Sequence, residues 1–308
     1  MADHMDHPQQ GTPAQVAAAR ARLRAGMKTY RPADEVDFVV VGSGAAGGVV
    51  ARELSRAGFS VVVLEQGPWR ANSEFVHDEL WVNFRGGLTN DFAKSPQSFR
   101  AKESEEAKRQ AVAQYARMVG GSSAHFTANY WRFPEIEFEQ ATKLGVPDGS
   151  TVADWPITYA DLEPYYTMVD WECGVSGQAG ANPFEPWRSR PYPMPPLPLK
   201  SEGALLEIAA KKLGWHAAPA PMAITSQPYR GRSGCVNCGF CFGFACEVGA
   251  KSGSLNNMIP EAVKTGKCEI RPESYVRKVE LGADGRVTGV KYFNARKVEV
   301  FQRAKAVV

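Results

Sequence analysis

The clearest patterning in the chain is a run from Val36 to Gly67 in which apolar and small residues follow each other in blocks. Phe38 to Val41 is β-branched and aromatic without polar alternation, which predicts a parallel strand buried on both faces. Gly42, Gly44 and Gly47 then stand at GxGxxG spacing ahead of a helical stretch, and Val61 to Leu64 predicts a second strand closed by Glu65. Elsewhere the periodicity predicts an N-terminal helix over 14–25 with a basic face. A second helix is expected between Trp155 and Asp170, capped by Asp154 or Thr158, with Leu162, Tyr165, Tyr166 and Val169 on one core-facing side. Ser201 to Leu213 is helical up to a stop at Gly214, and Ser252 to Ala262 is helical again. Cys268 to Glu280 predicts one strand, and Asp284-Gly285-Arg286 turns a hairpin into Val287 to Phe293. Lys297 to Phe301 is a further strand, and Ala306 to Val308 starts another. Two stretches resist regular structure. Pro68 to Arg100 scatters Trp69, Trp81, Phe84, Phe92 and Phe99 among polar residues, as a loop lining a channel would. Pro183 to Pro198 holds seven prolines and crosses the surface extended.

Composition adds limits rather than identity. A chain of 308 residues exceeds one core of about 250–300 residues, so two domains are expected. A net charge of +3 gives no case for nucleic acid. No apolar run approaches the roughly 20 residues of a membrane span, and the first thirty residues carry no apolar signal core, so cytoplasmic residence is the default.

The chemistry is concentrated in three places. In the opening motif, Gly42, Ser43, Gly44, Ala46 and Gly47 let a pyrophosphate approach backbone N–H groups at a helix N-terminus. Glu65, eighteen residues after Gly47, is placed to accept from an adenosine ribose. A tight turn without a ligand is the alternative. Gly120, Gly121, Ser122 and Ser123 suit a second turn passing close to a flat ligand. Cys235, Cys238, Cys241 and Cys246 fall within twelve residues, a clustering that favours a metal in a reducing compartment. An iron–sulfur cluster, unmetallated thiols or a local disulfide, and zinc all remain open for them.

Together, Gly42 to Glu65, Gly120 to Ser123 and the stretch Asp154-Trp155-Pro156-Ile157-Thr158-Tyr159-Ala160-Asp161-Leu162-Glu163-Pro164-Tyr165-Tyr166 resemble the glucose-methanol-choline (GMC) oxidoreductases, in the branch of gluconate and sugar dehydrogenase large subunits. The resemblance runs from about Asp34 to the end. It implies an α/β fold, a doubly wound FAD-binding Rossmann-like domain interleaved with a substrate domain built on an antiparallel sheet. The implied division is an N-terminal extension over 1–33, FAD-domain residues 34–135, a substrate-domain part over 136–230, and 231–308 with the cysteine segment and the return to the FAD domain. FAD is the implied cofactor, with Val276 contacting adenine through backbone. His125 falls where some members bond the flavin; covalent attachment, a noncovalent contact and plain packing stay open. Cys235, Cys241 and Cys246 match best the three-cysteine segment on which some members hold an iron–sulfur cluster.

The implied reaction is oxidation of a CH–OH group of a sugar, an aldonic acid or an alcohol. Electrons would pass through a small subunit and a c-type cytochrome, with periplasmic co-export alongside a signal-bearing partner. An H₂O₂-producing oxidase is the alternative within the family, and a noncatalytic flavin or iron–sulfur protein the alternative outside it. The family's catalytic histidine is expected beyond Val308, so the chain is expected to be an inactive fragment.

Overall fold

The computed structural model describes residues 11–84, 88, 96–110 and 115–308. Phe92 of the aromatic loop lies outside the described residues. The chain divides into two compact units. Unit 1 comprises Met1–Thr127, Cys238–Gly249 and Gly253–Val308, and unit 2 comprises Ala128–Asn237 and Ala250–Ser252.

Unit 1 begins with α1 (Pro13–Leu23), which Thr12 starts through a capping box with Gln15. The motif strands and helix follow as β1 (Val36–Val41), α2 (Ala45–Arg56) and β2 (Val61–Leu64), then the short pair β3 (Ser98–Phe99) and β4 (Lys108–Arg109). In unit 2 come α3 (Gln140–Leu144), α4 (Tyr159–Cys173) and α5 (Ser201–Lys212). The return to unit 1 brings α6 (Met258–Lys264), β5 (Cys268–Arg271), β6 (Tyr275–Leu281), β7 (Val287–Phe293) and β8 (Glu299–Val307).

Among the described residues of unit 1, six strands form one sheet in the order β5-β2-β1-β8-β7-β6. β5, β2, β1 and the end of β8 run parallel, with Phe38 opposite Val61 and Val39 opposite Val307. β6, β7 and the start of β8 form an antiparallel meander. All four residues of β2 are buried, as its unbroken apolar run predicts. One sheet face carries Val40, Val61 and Val63 against Ala51, Ile259 and Ala262; the other carries Val39, Val62 and Leu64 with Val290 and Tyr292.

Three elements differ from expectation. Cys268 to Glu280 is two strands, not one. Glu273, at φ 53°, breaks it, and its N–H donates to Gly67 O (2.9 Å) while that of Ser274 donates to Glu65 O (2.8 Å). Lys297 to Phe301 and Ala306 to Val308 are not separate strands. They merge into β8, which exchanges its antiparallel partner β7 for the parallel partner β1. The helix expected from Ser252 starts only at Met258, after a turn.

In unit 2, α4 starts at Thr158, whose hydroxyl caps the Asp161 N–H in a capping box, and it ends at Gly174 in left-handed conformation. Its buried face is not the one predicted. Tyr165 is exposed, whereas Tyr159, Glu163, Thr167, Asp170 and Cys173 are buried. The reason is Arg132, itself buried. It donates to Glu163 (3.1 Å), Thr167 (3.0 Å), Asp170 (2.7 Å) and the Tyr159 hydroxyl (3.2 Å). Arg188 adds a second cation on Asp170 at 2.7 Å. Burial alone would raise the Glu163 carboxyl, but hydrogen bonds from Ser189, Thr167 and Arg132 hold it down at about 2. Otherwise the described part of unit 2 is tied by isolated bridges such as Ser176–Met222 and Ile224–Lys251.

Candidate functional site

The chain leaves β1 through Gly42, whose φ of 91° is left-handed and whose N–H bonds Leu64 O at 2.9 Å. This fixes the glycine turn against the end of β2. Gly47, in the first turn of α2, lies so close behind that an added Cβ would stand 2.2 Å from Gly42 O. Gly44 is different. Its backbone is extended with negative φ, and an added Cβ would meet no atom within 4 Å. Neither conformation nor internal packing therefore requires glycine there. It is also the N-cap of α2, and no side chain caps the helix. A helix start without a side-chain cap, and with room beside Gly44, is an arrangement that can receive an anion.

The Gly120–Ser123 turn joins this cradle. Gly120 is left-handed (φ 94°), and a Cβ on Gly121 would come within 3.0 Å of the Gly44 Cα. Ser43 is the tie. Its hydroxyl donates to Glu65 Oε2 (2.7 Å) and accepts the Gly120 N–H (3.0 Å), and its own N–H also reaches Glu65 Oε2 (3.0 Å). Ser43 is fully buried, so its side chain holds the two turns and the acid together instead of reaching outward. Ser254, which the sequence did not single out, closes the ring. Its hydroxyl donates to Ser43 O (3.0 Å), and its N–H donates to the Ser123 hydroxyl (2.9 Å). The signal available was the small-residue run Ser252-Gly253-Ser254, since a Cβ on Gly253 would lie 2.2 Å from Ser123 O.

A cleft of about 330 Å³ opens at the strand ends, lined by Val41, Gly42, Leu64, Glu65, Gln66, Ser274, Tyr275 and Val276. The break at Glu273 is what swings Ser274 to Val276 beside Glu65. Thus Gly42, Glu65 and Val276, far apart in sequence, share one cavity. Glu65 accepts the Gly67 N–H on Oε1 (2.9 Å) besides the two donors on Oε2. Of about four lone-pair positions on a carboxylate, one remains on Oε1 for a ligand hydroxyl. The residues present therefore fit a dinucleotide: an open, uncapped helix N-terminus beside a cleft with one acidic acceptor.

Ser43→Ala is expected to cost about 1–3 kcal/mol of stability, because the buried Gly120 N–H loses its acceptor and Glu65 loses a donor. Urea unfolding followed in unit 1 checks this.

Ser122 is exposed, with its hydroxyl accepting the Ala116 N–H (3.2 Å), and Ala46 is exposed on the first turn of α2. His125 is half-buried and ends the 3-10 turn Gly121–Ala124, its N–H reaching Ser122 O at 3.2 Å. Among the described residues no group of three or more His, Cys, Asp and Glu could hold a metal, and no disulfide forms. Cys235 belongs to unit 2, while Cys238, Cys241 and Cys246 belong to unit 1. What the segment contributes to unit 1 is aromatic packing. Phe240 stacks on His77 at 4.7 Å between centroids, and Phe244 meets both rings edge-on. Burial pushes the Cys268 thiol in β5 up to about 12, as befits a packing residue.

This sheet, turn and cleft define a dinucleotide-binding α/β protein of Rossmann type. Sequence comparison agrees: a profile of the NAD(P)-binding Rossmann-like domain matches residues 40–71, and a profile described as GMC oxidoreductase matches residues 197–308. The chain is 32% identical to the gluconate 2-dehydrogenase flavoprotein of Pantoea cypripedii, over 92% of this chain and 51% of that protein. It is 29% identical to the fructose dehydrogenase large subunit of Gluconobacter japonicus, over 85% and 49%. The chain belongs to the GMC oxidoreductase family. Its fold resembles that of formate oxidase from Aspergillus oryzae (TM-score 0.54, 17% identity, 89% of this chain and 45% of the other). It also resembles pyridoxine 4-oxidase from Mesorbium loti (TM-score 0.53, 18% identity, 89% and 48%). The chain spans about half the length of the curated relatives it matches.

Proposed function

We propose that this chain holds FAD in a GMC dehydrogenase that oxidises a CH–OH group of a sugar, an aldonic acid or an alcohol and passes the electrons to a respiratory acceptor. The observation that carries the proposal is Gly44, a glycine with no internal reason to be one, at an uncapped helix N-terminus beside the Glu65 cleft. Backbone N–H groups of Gly44 to Gly47 bind the pyrophosphate, the free position on Glu65 Oε1 accepts a ribose hydroxyl, and the backbone at Val276 lines the adenine side. Bound FAD supplies the redox chemistry by accepting hydride at flavin N5. The protein fixes the cofactor through these backbone and carboxylate contacts. That one relative is named a large subunit supports a multi-subunit assembly, in which a small subunit and a c-type cytochrome are the proposed electron-accepting partners.

The purified 308-residue chain is expected to show flavin absorption bands or to acquire them on adding FAD. A chain that stays colourless with excess FAD overturns the reading. For the whole protein, dye reduction without oxygen uptake is the expected result, and H₂O₂ formation at the same rate would make it an oxidase instead. Acid precipitation is expected to leave the yellow colour in the supernatant, with His125 contacting flavin noncovalently.

A further inference from the structure

The proline-rich stretch from Pro183 to Pro198 does more than cross unit 2, because it carries one end of a row of alternating charges. Glu163 pairs with Arg132 (3.1 Å), Arg132 with Asp170 (2.7 Å), Asp170 with Arg188 (2.7 Å) and Arg188 with Glu185 (2.6 Å). Three carboxylates face two guanidiniums, so the row has an acid at each end and one negative charge in excess. An unbalanced charge away from bulk water is costly until a counter-charge reaches it. The two ends differ in access. The Glu163 side chain is 2% exposed, whereas that of Glu185 is 15% exposed and lines a cavity of about 100 Å³ within unit 2.

The protein uses one Glu185 oxygen and leaves the other. Oε1 accepts from Arg188 Nε (2.8 Å), Arg188 Nη2 (2.6 Å) and the Tyr192 hydroxyl. Oε2 receives no hydrogen bond from the described residues, and it is not sealed from solvent. Around it the cavity presents the Trp131 ring, 61% exposed, the Gln178 and Asn182 carboxamides and the ring of Pro221. The Asn182 carbonyl accepts the Phe184 N–H at 3.0 Å, while the Gln178 carboxamide has no partner among the described residues. No lysine, arginine or histidine lines the cavity. A carboxylate oxygen without a donor, a carboxamide carbonyl and an aromatic face together suit an ammonium, which brings three N–H donors and a positive charge.

We infer that this cavity is a binding site for a small organic ammonium, a primary amine on a short hydroxylated or aliphatic stem. The ammonium bonds Glu185 Oε2 and adds the base that completes the alternation begun at Glu163. Its stem lies against Trp131 and Pro221. The cavity is well below the roughly 300–1,000 Å³ of a drug-sized site, so the ligand, or the part of it that enters, is a few heavy atoms. The proposal is independent of the cofactor reading, because the cavity lies wholly in unit 2 and the proposed FAD cradle is built within unit 1.

Ethanolamine, protonated at neutral pH, is the probe, titrated into the full chain at constant ionic strength. The indole N–H signal of Trp131 in an NMR spectrum, identified by its loss in Trp131→Phe, is expected to shift with a Kd of about a millimolar. Ethylene glycol, the neutral counterpart, is expected to bind at least about tenfold more weakly. Calorimetric titration reads the variants, with circular dichroism checking the fold of each. Glu185→Gln keeps the shape, removes the charge and is expected to raise Kd at least about tenfold. Trp131→Ala, a change at an exposed position, is expected to raise it about two- to fivefold. A Trp131 signal that ignores ethanolamine up to about 100 mM overturns the inference. So does equal binding of ethylene glycol, an equal response to potassium ion, or an affinity unchanged in either variant.

Discussion

Gly44→Asp is expected to abolish FAD retention while leaving the chain as stable as before or slightly more so. The two effects part company because of where Gly44 sits. An aspartate suits an N-cap: the backbone is already extended there, an added Cβ meets nothing within 4 Å, and the side chain can accept from the uncapped N–H groups. Replacing glycine by aspartate at such a cap gains a few tenths of a kcal/mol, and its charge adds about 0.3–1 kcal/mol with the helix dipole. The same carboxylate would occupy the ground where the pyrophosphate is proposed to lie. Two like charges about 4 Å apart repel by about 4 kcal/mol at an effective dielectric of 20, close to three decades in Kd. Fluorescence titration of the apo chain with FAD reads the affinity, and thermal unfolding of the same sample reads the stability. Gly44→Ala separates charge from bulk and is expected to lose much less. A variant that binds FAD normally would remove Gly44 from the cradle and with it the central support for the proposed function.

The contrast with Gly47 explains why this motif could be read from sequence. Strand, turn, helix and second strand are contiguous, so local rules decide them, and the fully buried β2 and the left-handed Gly42 follow directly from residue type. Glu65 was legible for the same reason. What was not legible depends on partners distant in sequence. Ser254 reaches Ser43 across more than two hundred residues, and only the finished turn shows that its hydroxyl locks the cradle. The break between β5 and β6 hides in Glu273, which has no glycine to betray its left-handed φ. β8 reads as two strands because its partner changes midway, and periodicity cannot see a change of partner. The aromatic packing of Phe240 and Phe244 around His77, beside the cysteine run, was equally hidden, because His77 lies far away in sequence.

α4 is the sharpest case of a pattern overruled, and it leads to the second large effect. Its apolar residues predicted a buried Tyr165 face, but one arginine from outside the helix recruits Glu163, Thr167 and Asp170 inward. Arg132→Met is expected to destabilise unit 2 by about 3–5 kcal/mol at neutral pH, because it leaves the Glu163 carboxylate buried without its cation. Arg188 still neutralises Asp170 and sets the ceiling on the loss. The pH dependence identifies the cause. In the wild type the Glu163 carboxyl is held at about 2, below its ordinary 4.5. Its contribution is therefore fully present above pH 4.5 and lost as pH falls from there toward 2. Without Arg132, one of the bonds holding the carboxyl down is gone while those from Ser189 and Thr167 stay, so its pKa moves back toward the ordinary value and the variant loses less than the wild type as the pH drops. The gap between Arg132→Met and wild type should narrow steadily below pH 5, and the double variant Arg132→Met with Glu163→Gln should recover part of it at pH 7. Urea unfolding at pH 7 and pH 4 checks both. A gap that stays constant with pH would mean that Arg132 acts through packing of its stem against Tyr166, over whose ring its guanidinium lies at 5.5 Å, and not through the buried carboxylate.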